Sequence, residues 1–174
     1  DPDAWYYDGV CFMLGGGLMI GVGDGRFAPH ADLTRATVVE LLYRLEGCPE
    51  VRQDSGFQDV AEDRWYADSV AWAKEQGIVC GVTADRFAPD AAASREQLVT
   101  MLYRYVKNYK HGDAAADGVL DAFADADQIS GYAEEAMRWA VGSGLMKGTG
   151  KGLEPRRTAT RAQYAVLLWR YLTD

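Results

Sequence analysis

Ser94-Arg95-Glu96-Gln97-Leu98-Val99-Thr100-Met101-Leu102-Tyr103-Arg104 is the stretch whose reading decides the fold. Ser94 followed three residues later by Gln97 is a capping box, the signature of a helix start. Leu98, Met101, Leu102 and Tyr105 then recur at helical spacing, so one face of that helix is apolar. The pattern stands twice more. Thr34-Arg35 opens a helix bearing Val38, Leu41, Leu42 and Leu45, and Thr160-Arg161 opens one bearing Tyr164, Leu167, Leu168 and Tyr171. Thr160 and Gln163 make a second capping box, whereas Thr34 is followed by Thr37 and makes none.

Working outward, the surroundings repeat as well. Shifted by 60 residues, Trp5-Tyr6 falls on Trp65-Tyr66, Val10 on Val70, Phe12 on Trp72, Gly17 on Gly77, Gly21 on Gly81 and Arg26-Phe27-Ala28-Pro29 on Arg86-Phe87-Ala88-Pro89. A shift of 67, then 66 after one loop deletion, carries Trp72-Ala73 onto Trp139-Ala140, Gly77 onto Gly144, Gly81 onto Gly148 and Pro89 onto Pro155. The 174 residues therefore divide into repeat one at 1–56, repeat two at 57–116 and repeat three at 117–174. Phe57-Gln58-Asp59-Val60 and Phe123-Ala124-Asp125 mark the starts of repeats two and three. The chain is expected to start just after the copy belonging to repeat one, as if cut from something larger.

Each repeat reads as helix, loop, helix. The first helices are expected over Tyr6–Gly16, Tyr66–Gln76 and Ala133–Ser143, with Gly17, Gly77 and Gly144 as left-handed terminators. Repeat one is the weakest, since an interior glycine costs a helix about 1 kcal/mol and it carries Gly15-Gly16-Gly17. No single repeat can bury an adequate core. The expected fold is all-α: a pseudo-trimeric arrangement of three helix-loop-helix repeats around a central three-helix bundle, one domain over 1–174. Between repeats, 107–120 reads as a flexible exposed connection.

The charge of −8 leaves no third of the chain basic, which argues against nucleic-acid binding. The charge-free run through Val10–Gly23 is too short and too rich in glycine to span a bilayer, which takes about 20 apolar residues. No signal peptide is read at the N-terminus. Cys11, Cys48 and Cys80 form no CxxC pair and are expected to be buried thiols; neither metal nor cofactor is expected.

The arginine following each N-cap is the most informative residue type. A helix start carries partial positive charge, so a cation there is disfavoured by a few tenths of a kcal/mol. Arg35, Arg95 and Arg161 all occupy that place. One reading is an anion receptor, a guanidinium fork beside free helix N–H groups. The other is a salt bridge to Asp8, Asp68 or Glu134. Trp5, Trp65 and Tyr132 open the first helices and suit either sugar stacking or core packing. Phe12, Trp72, Trp139, Phe27 and Phe87 read as core. Gly21, Gly81 and Gly148 either let backbone approach a ligand or supply positive φ. Catalytic patterns are missing: His30 and His111 have no repeated partner, and no carboxylate pair recurs in an acid/base role.

Phe57-x-Asp59-Val60, Trp65-Tyr66-x-x-x-Val70, Trp72-Ala73, Gly77-Ile78-Val79-x-Gly81, Phe87-x-Pro89 and Ser94-Arg95-Glu96-Gln97 together resemble the S-layer homology domain, of which three tandem copies are usual. The resemblance implies a pseudo-trimeric spindle that anchors a bacterial surface protein noncovalently to the cell wall, outside the cell. Its implied partner is a pyruvylated secondary cell-wall polysaccharide held in grooves between lobes, or in some lineages modified peptidoglycan. The family's Thr-Arg-Ala-Glu motif stands here as Thr34-Arg35-Ala36-Thr37, Ser94-Arg95-Glu96-Gln97 and Thr160-Arg161-Ala162-Gln163, with the arginine kept and the glutamate lost. By resemblance, Arg35, Arg95 and Arg161 would bind the ketal carboxylate, Trp5 and Trp65 the sugar or pyruvyl methyl, and the loops of Gly21, Gly81 and Gly148 would line the pockets. Before the loop glycine stand Ile20, Cys80 and Lys147, so only repeat three adds a cation there. The three grooves are therefore not expected to be equal. The function expected is anchoring without catalysis. The alternative is a self-association or protein-interaction module with degenerate pockets.

Overall fold

The computed structural model describes residues 1–173. Six α-helices carry it: α1 Tyr7–Gly15, α2 Arg35–Leu45, α3 Ala67–Glu75, α4 Arg95–Arg104, α5 Glu134–Gly142 and α6 Arg161–Thr173. Among the described residues, β-pairing is confined to isolated bridges. The all-α class and the six helices match the sequence reading to within one or two residues. Gly17, Gly77 and Gly144 take φ of 67°, 66° and 74°, the left-handed conformation expected of helix terminators. The caps also form as read. Ser94 and Gln97 exchange both capping-box bonds, as do Thr160 and Gln163, while Thr34 accepts from Thr37 N and shares a hydroxyl–hydroxyl bond with Thr37.

Helix packing crosses the repeat boundaries. The first helix of each repeat packs on the second helix of the repeat before it: α3 on α2, α5 on α4, and α1 on α6. The last pairing joins the two ends of the chain. Small residues permit the close approach, since a Cβ on Gly9 would lie 3.0 Å from Val166. The apolar stripes of α2, α4 and α6 all enter one buried cluster, in which Leu42, Leu102 and Leu168 are fully buried. Tyr164 on α6 donates its hydroxyl to Val38 O on α2 at 2.8 Å.

The connections before α2, α4 and α6 add a cyclic backbone network. Leu33 N donates to Ala159 O at 3.0 Å, Ala159 N to Ala93 O at 2.8 Å, and Ala93 N to Leu33 O at 2.8 Å. Antiparallel bridges accompany it: Thr34 with Ala92, Ser94 with Thr158, and Thr160 with Asp32. Each of the three repeats thus grips its neighbours through backbone groups that would otherwise be buried without partners.

Three expectations are corrected. The thiols of Cys11, Cys48 and Cys80 are free and on exposed residues, not buried. Phe12 is 40% exposed, because it lies on the outer face of α1, while Trp72, Trp139 and Phe87 are core as read. The 107–120 connection is not uniformly loose. A π turn over Tyr105–Tyr109 extends α4, Leu120 is buried, and a Cβ on Gly118 would strike Arg138 O.

Candidate functional site

Each of the three arginines leaves its helix start to fasten the loop of the following repeat. Arg35 Nε donates to Phe87 O at 2.9 Å, Arg95 Nε to Leu153 O at 2.8 Å, and Arg161 Nε to Phe27 O at 2.9 Å. The backbone helps: Arg35 N and Ala36 N donate to Ala91 O and Pro89 O, with the same pattern at Arg95 and Arg161. Arg35 and Arg161 also lie over the Phe87 and Phe27 rings, 4.7 and 4.6 Å from the centroids. Repeat three has Leu153 in that position, so Arg95 lacks the ring.

The expected salt bridges do not form. Glu134 pairs instead with Arg138, and among the described residues no carboxylate lies within 4.0 Å of Arg35, Arg95 or Arg161. Arg35 and Arg95 are only 5% and 6% exposed. Burial pulls all three guanidinium pKa values down from the usual arginine value. They remain cations at neutral pH. A buried cation satisfied only by carbonyls has unmet electrostatic capacity, and an anion brought to it gains a charge-assisted hydrogen bond.

Two of the arginines border open grooves, and each groove draws on all three repeats. The first, 420 Å³, joins Arg35 of repeat one, Val79–Val82 and Gln97, Thr100, Met101 and Arg104 of repeat two, and Tyr132 of repeat three. The second, 500 Å³, joins Arg95 of repeat two, Lys147, Gly148 and Arg170 of repeat three, and Trp5 of repeat one. Trp65 and Gly21 border neither groove. The aromatics are not core: Trp5, Trp65 and Tyr132 are 60%, 58% and 52% exposed. Trp5 and Trp65 are braced edge-on by Tyr6 and Tyr66. The Tyr132 hydroxyl donates to Glu96 Oε1 at 3.1 Å, and burial with the Glu96 charge pushes its pKa up to about 12.

The expected positive φ is met at one loop glycine, and Gly21 and Gly81 have a steric reason within the loop itself. Only Gly148 has a positive φ, 77°. A Cβ on Gly81 would stand 2.1 Å from Thr83 O, and one on Gly21 would stand 2.9 Å from Arg26 O. The loop folds tightly on its own backbone, which presents the carbonyls that the arginines bind.

Sequence reasoning missed what holds that loop from the other side. Asp59 accepts from Phe87 N and Ala88 N, both at 2.8 Å, and Asp125 accepts from Leu153 N at 2.9 Å and Glu154 N at 2.7 Å. Burial opposes ionisation of both aspartates, but these N–H donors outweigh it and hold their pKa values below the usual carboxylate range. The pairs position Ala88 and Glu154 at φ of 58° and 49°, a strained region for a side-chain-bearing residue. The recurring aspartate of the repeat marker was the available signal.

The profile of the S-layer homology domain matches residues 1–39, 56–99 and 122–165. The Surface-layer 125 kDa protein of Lysinibacillus sphaericus is 30% identical over 171 residues, which is 96% of this chain and 14% of that protein. An endoglucanase of Bacillus sp. (strain KSM-635) is 30% identical over 158 residues, 88% of this chain and 16% of the enzyme. The S-layer protein sap of Bacillus anthracis is 26% identical over 165 residues, 94% of this chain and 19% of that protein. The chain thus spans less than a fifth of each of these relatives. Three matched segments in tandem, covering most of the sequence, place the chain in the S-layer homology domain family.

Proposed function

We propose that this chain is a noncovalent anchoring module that holds a bacterial surface protein to the cell wall by binding an anionic, pyruvylated secondary cell-wall polysaccharide. The observation that carries the reading is the set of three guanidiniums at helix starts, buried at Arg35 and Arg95 and half-buried at Arg161, none paired to a carboxylate among the described residues. A ketal carboxylate is planar and matches the guanidinium fork. Trp5 and Tyr132 offer flat faces on which a sugar ring can lie, Gly81 and Gly148 shape the loops, and Lys147 adds charge at one groove. Trp65, Gly21 and Arg161 are assigned the same roles in repeat order. Relatives named as S-layer proteins and as an endoglucanase fit a shared anchor joined to different functional parts. No catalysis is assigned to this segment.

Co-sedimentation with purified cell walls tests the reading. The chain is expected to pellet with native walls and to stay in solution once the secondary polymer has been extracted. Retention on extracted walls would redirect the assignment to peptidoglycan. A second reading rests on α1, where Tyr7, Phe12 and Leu14 are 39%, 40% and 42% exposed. These exposed apolar side chains suit self-association, and sedimentation equilibrium would reveal it as a concentration-dependent mass.

A further inference from the structure

The grooves share one plan and differ in charge. Where repeat three has Lys147, the other repeats have Ile20 and Cys80; where it has Arg157, they have Ala31 and Ala91. Arg170 has counterparts in Arg44 and Arg104, but Arg44 is paired with Glu40 at 2.6 Å. The groove at Arg95 is therefore lined by Arg95, Lys147, Arg157 and Arg170, and that at Arg35 by Arg35 and Arg104 alone. Two nearby carboxylates, Glu154 and Asp125, offset part of this charge, and four cations against two carboxylates leave an excess. Asp125 engages both oxygens with backbone N–H groups, and Glu154 is shared between Arg157, at 3.0 Å, and the Thr149 hydroxyl, at 2.6 Å.

Arg95 also keeps more donors open than its counterparts. Arg35 and Arg161 each commit an Nη group to a second carbonyl, Cys80 O at 3.4 Å and Ile20 O at 2.7 Å. Arg95 commits only Nε, to Leu153 O, so both its Nη groups lack a hydrogen-bond acceptor among the described residues although the side chain is 6% exposed. Burial is the largest influence on the Arg95 pKa and lowers it; Glu154 raises it, Arg157 lowers it by less than Glu154 raises it, and Asp125 raises it. Like charges held together around an open groove favour occupation by anions.

We infer that the Arg95 groove takes a glycan carrying two anionic groups, one carboxylate on the Arg95 Nη pair and a second oxyanion on Lys147 and Arg157, with Trp5 under the sugar. The inference rests on the anchoring reading above. It adds a requirement that the Arg35 groove, with Cys80 and Ala91 at the two positions, does not meet.

Calorimetric titration with three synthetic probes tests it: a disaccharide bearing one pyruvyl ketal, the same disaccharide with a phosphate on its second sugar, and the same with a uronate there. The wild-type chain is expected to bind at least one doubly anionic probe about tenfold more tightly than the singly anionic one, the size of one charge-assisted contact. The two doubly anionic arms separate phosphate from carboxylate. In the K147A/R157A double variant the preference is expected to fall below about twofold. Both replaced side chains are exposed, and an unchanged circular dichroism melt verifies the fold. Equal binding of all three probes by the wild type, or a preference surviving in the double variant, would overturn the inference and leave anchoring intact. Failure of the wild type to bind any probe would remove the pyruvylated-polysaccharide reading as well.

Discussion

Leu33 N donates to Ala159 O at 3.0 Å, a backbone hydrogen bond that joins the first repeat to the third across 126 positions of sequence. With its two counterparts at Ala93 and Ala159 it closes a ring, and the packing of α1 on α6 closes a second one around it. No repeat completes its own core, because each second helix is covered by the first helix of its neighbour.

Closed rings predict cooperativity. The chain should unfold in one transition, with coincident fluorescence and circular dichroism curves. A fragment of residues 1–116 lacks α6, so α1 loses its partner and the ring stays open. It should show no cooperative melt; a sharp transition in that fragment would refute the interdependence.

The aspartate anchors predict an acid limit. Asp59 and Asp125 have folded-state pKa values below their unfolded ones, so the unfolded chain binds more protons in acid. Their contribution is fully present above the ordinary aspartate value of about 4 and is lost as pH falls through the lower folded values. Urea midpoints measured from pH 7 to pH 2 should drop in that window. In D59N/D125N the drop should be smaller, at the expense of about 1–3 kcal/mol of stability at neutral pH.

The tight loop predicts that Gly81→Ala is destabilising although the change is small. The new methyl would collide with Thr83 O and Arg86 O, both backbone, so the loop must move. A loss of about 1–3 kcal/mol in denaturant titration is expected. Gly15→Ala, where a Cβ meets nothing within 4 Å, should be neutral or stabilising.

Thiol exposure gives a rapid check. Cys11, Cys48 and Cys80 lie on exposed residues, so all three should react with a chromogenic disulfide reagent in the native protein. Reaction only after denaturant is added would contradict the surface described here.

Repeat, helix and cap assignments were legible because each leaves a periodic trace, as in Ser94-x-x-Gln97 or the stripe Leu98, Met101, Leu102. The arginines were legible as anomalies at a helix start. Their partners were not, since a guanidinium bound to the carbonyls of Phe87, Leu153 or Phe27 imposes nothing on the identity of the accepting residue. The Leu33–Ala93–Ala159 ring was equally silent, being made by backbone in segments without periodicity. The thiols were misjudged because cysteine is usually buried, and Cys11 lies within an apolar run whose outer face is nonetheless exposed.

The central claim is that desolvated arginines without carboxylate partners receive an anionic sugar. Calorimetric titration of the intact chain with a pyruvylated wall-glycan fragment, beside the same fragment after mild-acid removal of the ketal, tests it most directly. The account predicts saturable binding of the pyruvylated fragment, its loss on removal of the ketal, and its loss in the R35K/R95K/R161K variant, which keeps the charge without the fork. Equal affinity for the two fragments would contradict it.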